Sequence, residues 1–210
     1  MTARASDGRV PGRRGQATRQ RLLECTLAML DTASYRDLKV VDIAREAGTS
    51  PATFYQYFTD VDAAIAELAG DMAADGATRL GGLLEGTRWS GEEAEASVRM
   101  LVTGFLDFWD ANRPLIRVID LKAAEGEGRI RSTRKDLLAG FSNGIAKCVQ
   151  RKSLPDAPAN PWAMASVAVT MLVNVAIQRE IFAASEIPDE DMIDAVARLL
   201  LAAVTGTTTG

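Results

Sequence analysis

The stretch Ser50-Pro51-Ala52-Thr53-Phe54-Tyr55-Gln56-Tyr57-Phe58 gathers hydroxyls, a methyl, an amide and two phenols on what reads as a single short helix. Ser50 suits an N-cap and Pro51 the first helical position. On a wheel at about 100° per residue, Phe54 and Phe58 share one side, Ala52 and Gln56 point the opposite way, and Thr53 and Tyr55 flank them. A helix with only packing to do would carry Lys and Glu outward. The groups present here suit base edges and phosphates instead. Gln56 can pair with adenine, Ala52 can meet a thymine methyl, and Ser50, Thr53, Tyr55 and Tyr57 offer hydroxyls to phosphates or bases. Tyr57 sits at the edge of the inward side and suits packing equally well. The competing reading is a surface helix with incidental aromatics.

Such a helix needs a platform. Residues 1–15 are rich in Gly and Arg without an apolar period and read as a flexible basic arm, from which Arg13 and Arg14 would reach phosphates. From Gln16 to about Ser34, Leu22, Leu23, Thr26, Leu27, Met29, Leu30 and Ala33 repeat at helical spacing. A second helix is expected over 40–47, with Val40, Ile43, Ala44 and Ala47 on one face and Gly48 closing it in a left-handed cap. The net charge of -4 argues against a nucleic-acid partner taken alone, but its distribution does not. Arginines crowd the first twenty-one residues, and the acidic excess falls later, in Glu92, Glu93, Glu95 and Asp189-Glu190-Asp191.

The segment VVDIAREAGTSPATFYQYFTDVDAAIAEL resembles the DNA-binding motif of the TetR family of transcriptional regulators over about residues 16–68. It shares the D-I-A-x-x-A-G of the second helix, the Tyr-x-Tyr-Phe ending of the third and a fourth helix following at once. The resemblance implies an all-α chain: an N-terminal three-helix helix-turn-helix DNA-binding domain (16–60) and a larger α-helical ligand-binding and dimerisation domain (61–210). It also implies a homodimeric repressor that a small molecule releases from DNA. Two positions depart from the family pattern. Lys39 stands where the family often has Thr at the start of the second helix, and is expected to take over a phosphate contact. Val61 stands where a phosphate-binding Lys often opens the fourth helix, and cannot replace it. Asp60 suits an N-cap for that helix, with Asp62 in its first turn.

Beyond Ala69 the glycines multiply, so the fourth helix is expected to fray into a loose connection. Ser90-Gly91-Glu92-Glu93 has the spacing of a capping box. Further helices are expected from about Pro114 to Lys122, up to Lys152, from Pro161 to Ala184 with Asn160 as cap, and from Pro188 to Val204; residues 205–210 should be disordered. Apolar residues surround nearly the whole circumference of Trp162–Phe182. One side can face the chain's own core, and the other needs a partner. Together with Ala195, Val196, Leu199, Leu200 and Ala203 this points to a four-helix two-fold dimer, and so to a palindromic operator with half-sites about 34 Å apart or a multiple of it. Phe105, Phe108, Trp109, Phe141, Trp162 and Phe182, with Met100, Met164 and Met171, can wall an apolar pocket, with Thr170 and Asn174 as polar anchors; plain core packing is the alternative, with Asn174 bonded to its dimer mate. The expected effector is a small hydrophobic molecule, and Arg113, Arg117 and Lys122 would favour an anionic headgroup if they point inward.

The chain has no histidine, so the commonest general base and the usual zinc ligands are missing; no enzyme activity, cofactor or metal is expected. Asp107 and Asp110, three apart, are the best carboxylate pair available to a catalytic reading. Cys25 and Cys148 lie among apolar residues and read as small buried hydrophobes. No unbroken run of eighteen apolar residues exists and the N-terminal stretch lacks an apolar core, so no membrane span and a cytoplasmic location are expected. A ligand-independent, architectural DNA-binding protein is the alternative function.

Overall fold

The computed structural model describes residues 12–126, 128–151 and 160–206. Among these residues all repetitive structure is helical: α1 (Arg13–Thr32), a 3-10 turn (Tyr35–Asp37), α2 (Val40–Glu46), α3 (Pro51–Tyr57), α4 (Val61–Gly86), α5 (Ala94–Ala111), α6 (Arg113–Ala124), α7 (Gly128–Arg151), α8 (Pro161–Ala184) and α9 (Asp189–Thr205). The all-α expectation holds. Two compact units emerge, one from the described residues up to Met72 together with Arg113–Arg134, the other from Ala73–Asn112 and the described residues from Lys135 onward. α6 belongs to the first unit although both its chain neighbours, α5 and α7, lie mainly or wholly in the second.

Helix boundaries follow local chemistry. α1 begins at Arg13, three residues before the expected Gln16, so Arg13 and Arg14 form its first turn; the remainder of the expected arm, 1–11, lies outside the described residues. α2 ends in the anticipated left-handed cap: Gly48 has φ +67°, its N–H donates to Arg45 O (3.0 Å), and Thr49 N–H donates to Ala44 O (2.8 Å). Asn160 Oδ1 accepts from the Trp162 and Ala163 amides ahead of α8, and Asp60 Oδ1 accepts from Ala63 N–H (2.7 Å) ahead of α4. The capping box at Ser90 does not form. Gly91 turns left-handed (φ +85°), which delays α5 to Ala94, and Glu93 stands at its start without a side-chain cap. The expected disorder at the C-terminus falls on residues of which 207–210 lie outside the described set; Thr205 closes α9 and Gly206 caps it in the left-handed region.

The expected fraying of α4 is overturned, because the helix runs unbroken through Gly70, Gly76, Gly81 and Gly82 to Gly86. Close packing explains part of that glycine content. A Cβ on Gly76 would lie 2.6 Å from Phe108 Cζ and 2.8 Å from Leu137 Cδ1, so this glycine lets α5 and α7 approach α4. Gly104 on α5 meets Leu83 of α4 in the same way, and Gly144 on α7 meets Leu84. Gly70 has no such neighbour.

In the second unit α5, α8 and α9 pack on one another around Val98, Leu101, Phe105, Leu172, Val196 and Leu200. Arg99–Asp194, Arg198–Glu95 and Arg179 with both Asp110 and Asp189 tie the same helices at their edges. α8 is long and apolar enough to cross a membrane by length and composition. Its Ala165, Ala168, Val169, Leu172, Val173 and Ala176 are buried inside the helical unit, while Val167, Ile177 and Ile181 of the same helix are exposed.

Two glycines on α4 should therefore respond oppositely to a methyl group. Gly76→Ala is expected to destabilise by about 1–3 kcal/mol through overpacking, whereas Gly70→Ala, at an open helical position, should stabilise by roughly 0.5–1 kcal/mol. Urea unfolding of the two variants measures both signs.

Candidate DNA-binding site

α3 has only seven residues, and its presentation depends on what fixes its ends and inner side. Ser50 Oγ accepts from Thr53 N–H (3.2 Å), Pro51 occupies the first turn, and Ser50 and Thr53 hydroxyls lie 3.0 Å apart. Phe54 is fully buried and Phe58 nearly so, with ring centroids 5.4 Å apart. Both rings point into a core shared with Leu22, Leu23, Ile43, Ala44 and Ile65 in the first unit. Ala52, Tyr55 and Gln56 are left exposed, and Thr53 and Tyr57 half-buried.

Lys39 immediately precedes α2 and is exposed. It gives that helix no side-chain cap; its carbonyl alone receives the Asp42 and Ile43 amides. Asp42, ion-paired to Arg45 at 2.7 Å, supplies the negative charge that the first turn favours. Arg13 and Arg14 are exposed at the start of α1, whose first turn has no acidic residue. Positive charge at a helix N-terminus opposes the helix dipole, so these arginines add nothing to the stability of α1 through it.

Other basic residues of the N-terminal run are used internally, which their spacing did not reveal. Arg19 ion-pairs with Glu67 of α4 while its guanidinium lies 5.0 Å from the Phe58 ring centroid. Arg21 Nε donates to Ala47 O at the end of α2 (3.3 Å). On α6, buried Lys122 ion-pairs with Asp62, and Arg113 and Arg117 share that helix in the first unit. Arg117 lines a cavity of about 320 Å³ in that unit, together with Leu30, Tyr35 and Leu121.

In the second unit Phe105, Trp109 and Phe141 come together: Phe105 stacks on Trp109 at 5.9 Å and meets Phe141 at 5.1 Å. Phe108 is buried as they are, beside Gly76 of α4, whereas Met100 and Trp162 are exposed. Met171 is half-buried, while Thr170 and Asn174 face outward on α8, where Thr170 donates to Ser166 O and Asn174 accepts from Gln178. The two polar residues are thus not placed with the aromatic cluster. A cavity of about 370 Å³ opens between α4 and α7, lined by Gly81, Leu84, Glu85, Asn143, Lys147 and Cys148 among others. Cys25 is buried in the first unit, and burial raises its thiol pKa, as befits an unreactive core residue. Asp110 is committed to Arg179 and Asp107 is exposed, so neither is set up as a catalytic carboxylate partner of the other.

A capped seven-residue helix with its aromatic side buried, preceded by a short helix and a left-handed turn, is the arrangement of a helix-turn-helix unit. Residues 22–69 match the family of bacterial regulatory proteins typified by TetR, and residues 80–209 match the tetracyclin repressor-like C-terminal domain. The chain belongs to the TetR family. The same fold recurs in a TetR-family regulator from Mesorhizobium loti (TM-score 0.71, 17% identity, covering 93% of this chain and 98% of that one). It recurs also in the fatty acid degradation regulator FadR from Bacillus halodurans (0.66, 14%, 92% and 97%). A third example is FadR from Bacillus subtilis in complex with stearoyl-CoA (0.59, 14%, 90% and 98%).

The caps of α2 and α3 generate a paired prediction. Ser50→Ala should lower stability by about 1 kcal/mol, and Lys39→Ser should raise it by a similar amount by giving α2 the cap it lacks. Thermal unfolding of both variants provides the check.

Proposed function

We propose that the chain is a cytoplasmic, homodimeric, sequence-specific repressor, released from a palindromic operator by a largely hydrophobic small molecule bound in its C-terminal part. The observation that carries this reading is the outward side of α3, where Ala52, Tyr55 and Gln56 are exposed over a fully anchored aromatic side. In this proposal residues 16–60 form the reading unit. Ser50, Ala52, Thr53, Tyr55, Gln56 and Tyr57 meet the major groove, and Arg13, Arg14 and Lys39 contact phosphates.

The exposed stripe of α8 supports assembly into a dimer. Val167, Ile177 and Ile181 are 50–67% exposed, and Thr170 and Asn174 lie between them at helical spacing. Leu199 of α9 is exposed as well, whereas Val196 and Leu200 turn into the unit's own core, so only part of the apolar run expected on α9 is left for a partner. In the proposed dimer Asn174 and Thr170 belong to this contact instead of the ligand site. The ligand site is built around Phe105, Phe108, Trp109, Phe141 and Met171. One structural relative is named as a fatty acid degradation regulator and another is in complex with stearoyl-CoA, and an acyl chain is the chemistry that such a set accommodates. Binding there would favour a spacing of the two reading helices that no longer fits the operator. The tight burial of the four aromatics favours a second reading, in which they are core and the protein binds DNA without an effector.

Fluorescence anisotropy on duplex flanking the protein's own gene, against random duplex at fixed salt, is expected to show a preference of ~10³ or more. Gln56→Ala should reduce that preference while leaving affinity for random duplex intact; an equal fall on both duplexes would show that Gln56 reads no base. Long-chain acyl-CoA added to the complex should release the DNA, and unchanged anisotropy would favour the effector-free reading.

The double variant Ile177→Asp, Ile181→Asp is expected to weaken self-association by about 100-fold or more in sedimentation equilibrium. An unchanged dimer would exclude this face as the contact.

A further inference from the structure

Lys122 is a buried charge that the DNA-reading surface does not use directly. Its side chain is 3% exposed, and its ammonium pairs at 2.9 Å with Asp62, whose side chain is 55% exposed. The same Nζ lies 4.8 Å from the centroid of the Tyr35 ring. Tyr35 is held in turn, since its hydroxyl donates to Glu125 (3.2 Å) and Arg36 ion-pairs with the same carboxylate. The Arg36 hydrogen bond keeps the Glu125 carboxyl below its ordinary pKa, with Tyr35 and Lys122 contributing in the same direction against desolvation.

The positions of Asp62 and Tyr35 in the chain are what matter. Tyr35 opens the 3-10 turn that leads into Lys39 and α2. Asp62 lies in the first turn of α4, two residues after the Asp60 cap and four residues beyond Phe58. One ammonium on α6 therefore touches the chain on both sides of the segment 38–60 that contains α2 and α3.

A buried ion pair is by itself a weak source of stability. Taking an ammonium out of water is costly, and a partner that is more than half exposed returns only a screened attraction. An unbranched apolar side chain such as Met would fill the same space without that penalty. What the ammonium adds is direction: a carboxylate and the face of a ring are attracted to one point, which favours a single arrangement of the two flanks.

We propose that Lys122 is a positioning residue for DNA recognition, its charge fixing the orientation of α2 and α3 by holding Tyr35 and Asp62 on either side of them. This inference rests on the DNA-reading function proposed above. It is tested on the full chain by hydrogen exchange and by DNA binding. In Lys122→Met the thermal midpoint is expected to stay within about 4 °C of wild type, while amides of residues 40–58 exchange about tenfold faster and those of α8 are unchanged. Asp62→Asn, which removes the partner charge at an exposed position, should act in the same direction, and Lys122→Arg should retain wild-type protection. Unchanged exchange in both Lys122→Met and Asp62→Asn overturns the proposal, and so does a loss of protection spread evenly over the chain. On a duplex enriched from random sequence by the wild-type protein, Lys122→Met should lose about tenfold of the preference over random duplex. Full retention of that preference overturns the role in recognition. A wild-type protein that enriches no sequence removes the DNA-reading function itself, and the exchange results still decide whether the clamp orders residues 40–58.

Discussion

The outward surface of α3 depends on the burial of Phe54 and Phe58. A helix of seven residues is far below the ~12–15 that make an isolated helix even marginal in water, so α3 exists only because its surroundings impose it. The Ser50 cap and Pro51 fix where it starts, and the two rings fix how it is rotated. Losing a buried Phe ring typically costs about 3–5 kcal/mol, a large part of the ~5–15 kcal/mol that holds a domain folded. Because residues 54 and 58 are pinned inward, residues 52 and 56 must face out. The outward chemistry of α3 is thus set by its inward packing, and a change of one residue in that register would hide Gln56.

The arginines near the N-terminus divide along the same line. Arg19 is mostly buried between Glu67 and the Phe58 ring, and Arg21 reaches the end of α2, so both brace the platform on which α3 rests. Arg13 and Arg14 stay exposed at a helix end where their charge is unfavourable. An overall charge of -4 is compatible with a polyanionic partner because the field near a surface reflects local charges over a Debye length of about 8 Å, not the sum over the chain.

How far the sequence could be read depended on the range of the interaction involved. Helix existence, the Gly48 cap, the Ser50 and Asn160 caps and the inward side of α3 rest on neighbours within four residues, and all were legible. The continuity of α4 was not, because glycine carries a local penalty that counts against a helix while its reason, the approach of Phe108 and Leu137 to Gly76, lies far away in sequence. The internal contacts of Arg19, Arg21, Tyr35 and Lys122 were hidden for the same cause: their partners lie from 26 to 90 residues distant, as Arg21–Ala47 and Tyr35–Glu125 show. The polar pair Thr170 and Asn174 illustrates a different limit. A helix apolar on nearly all sides has no periodicity from which to tell its inner face, so their direction awaited the packing of α8 on α5 and α9.

That ambiguity has a physical origin in what α8 must do. Its inner face combines the alanines Ala165, Ala168 and Ala176 with Val169, Leu172 and Val173, and the further aliphatic residues Val167, Ile177 and Ile181 are turned outward. A helix serving one core would carry polar groups on its outer side. The apolar residues on both sides fit a second apolar contact there. In a two-fold contact a residue near the axis meets its own copy, and an amide is the side chain that can pair with itself, both donating and accepting. Asn174 near the middle of the stripe would then set the register of the proposed dimer, while Val167, Ile177 and Ile181 supply its affinity.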